Sequence, residues 1–242
     1  MSRITQRGAT APFGLFKNDT DASDVTYPGQ KFDLSDGREV TLVSTGGSNI
    51  VSGVLVQGSA IVADNQNIAV AANAAAAATS VTVTLGATAV TANQYAGGFL
   101  VVNAGSGIGQ TLKIQSHPAA NGAASCVITL EDPVVTALTS ASSKVCLIAN
   151  PYTGVVINPT TATATPVGVT FYPLTASQYG YVISKGATSC LADANTAAVG
   201  LGIIPSTTTA GSIAVATATG ANIGRALQAS VSAEARTIFI DL

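Results

Sequence analysis

The chain has 242 residues, of which only 9 % are charged, and its formal net charge at neutral pH is −2. Ordinary soluble domains carry about 25 % charged residues, and this near-neutral balance gives no electrostatic footprint of nucleic-acid binding. Because low charge protects a free monomer poorly against association, we expect a surface that is covered by partners or built to be inert.

Residues 1–40 differ from the rest of the chain, because they are polar, are interrupted by Pro12 and Pro28, and have apolar side chains only at intervals. Such a segment buries too little surface to offset its ordering entropy. We therefore predict an extended N-terminal arm that lies along another surface, with a floppy tail as the alternative. The side chains expected to contact that partner or subunit surface are Arg3, Arg7, Phe13, Phe16, Tyr27 and Phe32.

Residues 41–130 hold only two charged residues, Asp64 and Lys113. Apolar runs in this part are cut every few positions by Gly, Asn, Gln, Ser or Thr, whereas a transmembrane helix needs roughly 20 mostly apolar residues. The opening stretch "MSRITQRGATAPFG" also lacks the apolar core of a signal peptide. We expect a protein that is made in a cytoplasm and has no membrane partner.

Alternation of polar and apolar residues with a period of two dominates the chain, and helical periodicity is nearly absent. Half-buried strands are predicted at 80–85, 111–115 and 237–241, and more buried strands at 98–103, 126–130, 144–149 and 167–171. The alanine-rich segment 71–80 has no amphipathic face, so it is predicted to be a connector rather than a helix. The predicted fold class is all-β, with small β-sandwich or barrel-like modules after the N-terminal arm.

One phrase occurs twice, as "TANQYAGG" at 91–98 and "TASQYG" at 175–180. Each tyrosine is followed by glycine and a predicted strand, which favours a repeated structural corner over chance similarity of two turns. The corner residues are Tyr95, Gly97, Tyr179 and Gly180. Because a β-rich stretch follows each copy, we place a boundary near Asn150 and Pro151. The predicted segments are an arm at 1–40, strands plus the connector at 41–79, a first β module at 80–150 and a second at 151–242.

Two patterns that could suggest enzymatic chemistry have simpler interpretations. The segment "GSGIGQ" at 105–110 precedes an alternating strand and not a helix, so it predicts a hairpin turn and not a nucleotide loop. The single histidine, His117, precedes a proline in a Gly- and Ala-rich turn, and is predicted to be a solvent-exposed loop residue. No nucleophile-elbow motif accompanies it, and we predict that the protein is not an enzyme.

The candidate metal ligands show no motif spacing. The three cysteines are Cys126, Cys146 and Cys190, and each lies in or beside an apolar run, which indicates buried free thiols. The acidic residues of "NDTDASD", which are Asp19, Asp21 and Asp24, lack the glycine and distal glutamate of an EF-hand loop. They are expected to form a solvated turn, with a shared calcium ion as the alternative. We predict neither a metal nor a cofactor.

Three stretches carry a resemblance to a known family. They are "VTVTLGATAVTANQYAGGFLVVNAGSGIGQTLKI", "VITLEDPVVTALTSASSKVCLIANPYTGVVI" and "TASQYGYVISKGATSCLAD". They resemble capsid-associated structural proteins of tailed bacteriophages, which decorate or cement the outer face of the head. The resemblance covers roughly residues 75–242. The final stretch, from "TAGSIAVATATG" to "RTIFIDL", is similar to the small β modules of decoration proteins, which often sit on the shell as trimers.

This resemblance implies a non-enzymatic virion protein that binds and stabilises the outer surface of the capsid. Its implied partners are the major capsid protein and further copies of itself in a homotrimer, and it would be assembled in the host bacterial cytoplasm. The N-terminal arm would then reach across neighbouring capsid subunits. The alternatives are another virion surface component, such as a head-fibre base or tail protein, and a carbohydrate- or host-binding β module.

Overall fold

The structure, a computed structural model, describes residues 4–5, 14–20, 28–193, 198–216, 222–229 and 234–242. The described residues form an all-β fold with one short 3₁₀ turn, Ala63–Asn65, and no α-helix. The strands are β1 Ile4–Thr5, β2 Lys31–Leu34, β3 Glu39–Ser44, β4 Leu55–Gln57, β5 Ile68–Ala69, β6 Ser80–Thr84, β7 Phe99–Ala104, β8 Thr111–Ser116, β9 Ser125–Leu130, β10 Lys144–Ile148, β11 Val156–Ile157, β12 Pro166–Val169, β13 Tyr179–Leu191, β14 Gly202–Pro205, β15 Ile213–Val215, β16 Gly224–Ala226 and β17 Ala235–Asp241. The predicted fold class is confirmed.

The strands predicted from the two-residue alternation are all present, with bounds that differ by up to two residues. They correspond to β6, β7, β8, β9, β10, β12 and β17. The alanine-rich segment 71–80 forms no helix; Ala74 pairs with Leu138 in an isolated bridge, and β6 begins at Ser80. Five consecutive alanines have high helix propensity, but without an apolar face the segment has nothing to pack as a helix.

The chain divides into two compact units, unit 1 (Met1–Ser59 with Pro151–Leu242) and unit 2 (Ala60–Asn150). Unit 2 ends at the peptide bond where the sequence indicated a boundary. The segment predicted at 41–79 is not one element, because residues 41–59 belong to unit 1 and residues 60–79 to unit 2. The reason is long-range pairing, since β3 and β4 find their partners, β13 and β12, in the second half of the chain.

Unit 1 is built around β13, a strand of 13 residues. Its first half pairs antiparallel with β3 and its second half pairs antiparallel with β17. The sheet continues from β3 to β2 and β1, and from β17 through β16 and β14 to β15. Strands β12, β4 and β11 extend it further, and the resulting 11-stranded sheet curves into a half-barrel.

Apolar side chains of these strands form one buried core in unit 1. The burial of β17 alternates strictly, so that Ile238 and Ile240 face inward and Phe239 faces outward. Phe32 and Tyr181 are both fully buried in the core, where their rings meet edge to face with centroids 5.6 Å apart. Aromatic pairs in this geometry stabilise a core by about 0.5–1.5 kcal/mol beyond the burial of their area.

The described parts of residues 1–40 lie on unit 1 and belong to its fold. Strands β2 and β3 form an antiparallel hairpin inside the sheet, and Leu15 is buried in the same core. Asp19 and Tyr179 exchange two backbone hydrogen bonds of 2.8 and 3.0 Å. The arm boundary predicted at residue 40 therefore marks no structural boundary, because the short alternating segment "KFDL" is stabilised by β3 and not by its own composition.

Unit 2 is a six-stranded antiparallel sheet in the order β5-β10-β7-β8-β9-β6. A bridge between Val70 and Val83 brings its two ends together, so the sheet is a nearly closed barrel. Closure satisfies backbone groups that an open edge would leave exposed. The inward-facing residues include Val81, Val83, Leu100, Val102, Leu112, Ile114, Ile128, Val145 and Leu147.

Candidate functional site

The two copies of the repeated phrase adopt the same backbone bend. Val90 and Leu174, each just before a copy, form isolated antiparallel bridges. The third residue of each copy, Asn93 or Ser177, has a positive φ of 60° or 55°. The left-handed conformation costs a residue with a side chain about 1–2 kcal/mol, and asparagine tolerates it better than most. The phrase thus encodes a bend before β7 and before β13.

These bends belong to a larger set in which bends are joined in pairs. In each pair, two bridge residues exchange reciprocal backbone hydrogen bonds of 2.8–3.0 Å. The pairs are Ile50 with Leu174, Val90 with Ala120, and Ala74 with Leu138. Three positions after each bridge residue the chain has a residue with positive φ, with Leu138 as the exception. These residues are Gly53, Ala77, Asn93, Ala123 and Ser177. The repeat is therefore part of the architecture of both units.

The two tyrosines of the repeat have different surroundings. Tyr95 is 2 % exposed, its hydroxyl accepts a hydrogen bond from the Asn65 side-chain amide at 2.9 Å, and its backbone N–H donates to Nε2 of His117 at 3.0 Å. Tyr179 is half-buried and pairs through its backbone with Asp19. The phrase repeats a backbone shape and not a side-chain site.

The two glycines predicted as corner residues, Gly97 and Gly180, also serve different purposes. Gly97 has a φ of 71°, which glycine adopts without strain. Gly180 has no positive φ, but a Cβ atom there would lie 2.6 Å from Cδ2 of Leu174. The first glycine allows a turn and the second allows close packing.

His117 is 4 % exposed, which overturns the prediction of a solvent-exposed loop residue. Its Nε2 accepts from the backbone of Tyr95, and its Nδ1 lies 2.9 Å from the carbonyl oxygen of Pro118, to which it donates in the matching tautomer. Its backbone N–H donates to the side-chain oxygen of Asn93 at 3.1 Å. The residues next to His117 suggested an exposed turn. The ring is buried because the bend that contains Asn93 and Tyr95, more than twenty residues earlier in the chain, contacts it.

The predicted contact residues do not form one group. Arg3, Arg7, Phe13 and Tyr27 lie outside the described residues, as do Asp21 and Asp24. Phe16 is 69 % exposed, and its ring packs edge to face on Phe171 with centroids 5.3 Å apart. Phe32 is fully buried, so it is a core residue and offers no surface to a partner. The alternation of β2 turns its ring inward.

The outer face of the unit 1 sheet carries an aromatic residue that the sequence interpretation did not single out. Phe239 in β17 is 42 % exposed, and it lies opposite Ala187 of β13 and Arg225 of β16. We call this surface of β13, β16 and β17 the Phe239 face. The signal was present in "TIFID", because the alternation that buries both isoleucines places the phenylalanine among outward-facing polar residues.

A hollow lies on each side of Phe239. One has a volume of about 400 Å³ and is lined by Asp36, Gly37, Arg38, Gly186, Ala187 and Phe239. The other has a volume of about 420 Å³ and is lined by Asn222, Gly224, Arg225, Phe239 and Asp241. Glycine and alanine on the neighbouring strands leave the ring standing between the two depressions.

Charged groups border both hollows. Arg38 forms an ion pair with Asp36 at 2.6 Å, and Lys185 forms one with Asp241 at 3.2 Å. The Arg225 guanidinium donates to the carbonyl oxygen of Gly200 at 3.3 Å. A partly exposed aromatic ring with arginines at its margin has the composition of binding hot spots in protein interfaces.

The described residues contain no cluster of three or more His, Cys, Asp or Glu side chains that could hold a metal ion. Burial raises the pKa of the Cys190 thiol to about 12 and also raises the pKa of Cys126. Both are therefore protonated at neutral pH, and a thiol in that state is a poor nucleophile. In the part of the chain that the structure covers, no helix combines the length and apolarity needed to cross a bilayer.

The described residues define an all-β protein of two units, with a partly exposed phenylalanine on the sheet of unit 1. Comparisons of the chain with protein-family models, with curated proteins and with solved structures found no match.

Proposed function

We propose that the protein is a non-enzymatic structural protein that binds and stabilises the outer surface of a tailed-phage capsid. The observation that carries this proposal is Phe239, a partly exposed ring that stands between two hollows bordered by Arg38 and Arg225. The resemblance of residues 75–242 to capsid-associated proteins and the charged fraction of only 9 % support it. The partners are the major capsid protein and further copies of this chain, and the location is the virion.

The protein would stabilise the capsid because its binding is thermodynamically linked to capsid assembly. A protein that binds the assembled shell more tightly than free subunits shifts the equilibrium toward the assembled state, and no reaction is needed. On the Phe239 face, the ring supplies apolar area at low conformational cost, and the flanking arginines supply hydrogen bonds to the partner. The small residues Gly186 and Ala187 allow a partner to approach the sheet closely.

Substitution of Phe239 tests the proposal. Phe239→Ala is expected to weaken binding to purified capsids at least ~30-fold, since truncating a hot-spot residue costs about 2 kcal/mol or more. Phe99→Ala is the matched control, because Phe99 is exposed to a similar degree, 38 %, but lies on unit 2. Co-sedimentation of labelled protein with capsids measures both. Equal binding by both variants, or no binding by the native protein, would contradict the proposal.

The number of copies per particle separates decoration from the other virion roles. A decoration protein covers the shell in hundreds of copies, whereas a head-fibre base or a tail component is present in a handful. Quantitative mass spectrometry of purified virions against the major capsid protein measures this ratio. A low ratio would favour the second class of virion protein.

A carbohydrate- or host-binding module is a second candidate, and the Phe239 face also favours it. A sugar ring can stack on an exposed aromatic ring while groups such as Arg225 and Asp241 bind its hydroxyls. A glycan array with native protein and Phe239→Ala distinguishes the two. Specific glycan binding that depends on Phe239, without capsid binding, would replace the first proposal by this one.

A further inference from the structure

The bend that follows the Val90–Ala120 bridge contains Asn121 and Gly122, which form the only Asn-Gly pair of the sequence. The side chain of Asn121 is exposed. In such a pair the glycine nitrogen can attack the side-chain amide carbon of the asparagine, because glycine has no side chain to obstruct the approach. The fold then decides whether the two groups are free to react.

The groups that would react have no hydrogen bonds of their own to break. In the described part of the chain, neither the backbone N–H of Gly122 nor the side-chain amide of Asn121 has a hydrogen-bond partner. Both must be free, because the nitrogen has to lose its proton and the amide has to turn toward it. Asn121 and Gly122 meet this condition.

Other asparagines of the protein are held by hydrogen bonds at both reacting groups. In five of them the side-chain oxygen accepts a backbone N–H at 2.8–3.2 Å, and the next residue donates its own N–H to a carbonyl oxygen at 2.9–3.3 Å. They are Asn49, Asn65, Asn73, Asn93 and Asn222. At these positions the attack has to break both hydrogen bonds first, which raises its barrier.

Packing keeps the glycine in the reactive pair. A Cβ atom on residue 122 would collide with the carbonyl oxygen of Ala87, so a residue with a side chain does not fit there. A larger residue after Asn121 would obstruct the attack, but it would also disturb the bend. The same glycine is thus required by the fold and permissive for the reaction.

We propose that Asn121 converts spontaneously to aspartate and isoaspartate, which makes this bend a site of covalent modification that needs only water. The Gly122 nitrogen gives its proton to water or hydroxide and bonds to Cγ of Asn121. The bond between Cγ and Nδ2 breaks, and Nδ2 takes a proton from water and leaves as ammonia. Water then opens the resulting five-membered imide. Attack at Cγ yields aspartate, and attack at the main-chain carbonyl carbon yields isoaspartate, whose backbone runs through the former side chain.

Isoaspartate does not fit the paired bend. It adds one carbon to the backbone between Ala120 and Gly122, where the chain is fixed on both sides. Ala120 exchanges hydrogen bonds of 2.9 and 3.0 Å with Val90, and the Ala123 N–H donates to the carbonyl oxygen of Gly86 at 2.6 Å. One of these contacts has to be lost. Isoaspartate is therefore expected to lower the stability of unit 2, whereas aspartate retains the native backbone.

Incubation of the native protein at mildly alkaline pH, followed by peptide mass spectrometry, tests the proposal. The peptide that contains Asn121 should gain the mass difference between a carboxylic acid and an amide, and it should do so faster at higher pH. Asn73 is the internal control, because it is also exposed and lies on unit 2. It should react at least ~10-fold more slowly. An unmodified Asn121, or equal rates at the two positions, would overturn the proposal. The reaction needs only the folded chain and water, so its outcome does not depend on capsid binding.

A second Asn-Gly pair separates the effect of the fold from that of the dipeptide. Ala74→Gly creates such a pair after Asn73, where the N–H of residue 74 donates to Leu138 at 3.0 Å and the side-chain oxygen of Asn73 accepts from Ser140 at 2.8 Å. Because these bonds hold both reacting groups, Asn73 in this variant should still react at least ~10-fold more slowly than Asn121. Equal rates would show that the dipeptide alone controls the reaction.

Thermal unfolding of aged protein tests the effect on the bend. Native protein that has accumulated isoaspartate, measured with an isoaspartyl methyltransferase, should unfold at a lower temperature than fresh protein. Asn121→Gln is the control for ageing, since its amide would have to close a six-membered ring, and it should lose no stability on incubation. Fresh Asn121→Asp should unfold like the fresh native chain, because its backbone is unchanged. Aged protein that contains isoaspartate but unfolds like fresh protein would contradict the predicted loss of contacts.

Discussion

Tyr95 and Tyr179 occupy the same place in the repeated phrase, yet only Tyr95 depends on its hydroxyl. The Tyr95 hydroxyl accepts the hydrogen bond of the buried Asn65 amide, whereas Tyr179 is half-buried and open to water. Identical residues in identical bends thus have different energetic roles, because the surrounding strands differ.

Replacing each tyrosine by phenylalanine measures this difference. Tyr95→Phe leaves the Asn65 side chain, which is fully buried, without that acceptor, and it should lower the free energy of unfolding by about 1–3 kcal/mol. Tyr179→Phe is the matched control and should change stability by less than about 0.5 kcal/mol. Urea unfolding of both variants gives the comparison. Equal losses would show that the hydroxyl of Tyr95 has no special role.

A buried thiol and a buried phenol of unit 1, those of Cys190 and Tyr172, should lower the stability of the fold at alkaline pH. Burial raises the pKa of Cys190 and of Tyr172 to about 12, from ordinary values of 9.0 and 10.0. Both groups bind their proton more tightly in the folded chain. Their contribution to stability is therefore fully present below pH ~9, and it is lost as the pH rises toward ~12.

Stability measured between pH 8 and pH 11 tests this linkage. Each such group lowers the unfolding free energy by up to about 1.4 kcal/mol per pH unit while only the unfolded chain is deprotonated. Cys190→Ala removes one of the two groups and should flatten the decline above pH 9, although its stability at neutral pH will be lower because of the cavity. An unchanged decline in this variant would mean that Cys190 is not responsible.

The paired bends lie directly before strands in both units. Reciprocal hydrogen bonds join Val90 to Ala120 and Ile50 to Leu174, and each of these bends leads to a strand. Positive φ in the bend usually favours glycine, yet Ala77 and Ala123 adopt φ values of 68° and 59°. Such residues carry backbone strain that the pairing of the bends must offset.

Glycine substitutions in the alanine-rich bend expose this strain. Ala77→Gly should raise the free energy of unfolding by about 0.5–1 kcal/mol, because glycine adopts positive φ without steric conflict. Ala76→Gly is the neighbouring control, since Ala76 has no positive φ, and it should lower stability by about 0.5–1 kcal/mol. Thermal unfolding of the two variants should show shifts of opposite sign. A loss in both would argue that the Ala77 bend is unstrained.

One unit of the protein interrupts the other in sequence. Unit 2 is the continuous segment Ala60–Asn150, and unit 1 comprises the chain on both sides of it. Within unit 1 the two points of interruption are adjacent, since a Cβ atom on Gly58 would lie 2.4 Å from the carbonyl oxygen of Pro151. Unit 2 also has its own core and a nearly closed sheet.

This arrangement predicts that the units fold separately. A fragment of residues 60–150 should unfold cooperatively on heating and show the circular dichroism of β-structure. A chain in which a short Gly/Ser linker replaces those residues should retain the fold of unit 1, because the linker spans a small distance. A fragment without a cooperative transition would indicate that unit 2 requires unit 1.

The local pattern of polar and apolar residues was sufficient to predict much of the secondary structure. The strands from β6 to β10 follow from two-residue alternation and turn residues, and the repeated phrase indicated a shared bend. The outward position of Phe239 also followed from the alternation of "TIFID", although its significance did not. Its hollows depend on Gly186 and Gly224, which lie on other strands.

The all-β character follows from the amino-acid sequence, because polar–apolar alternation and turn chemistry act between residues that are close along the chain. Long-range packing, in contrast, joins β3 and β4 to strands of the second half of the chain, buries Phe32 and His117, and makes unit 2 an insertion in unit 1. These outcomes depend on pairing between distant segments. Many partners satisfy the same local pattern, and only the packing of the whole chain selects one of them.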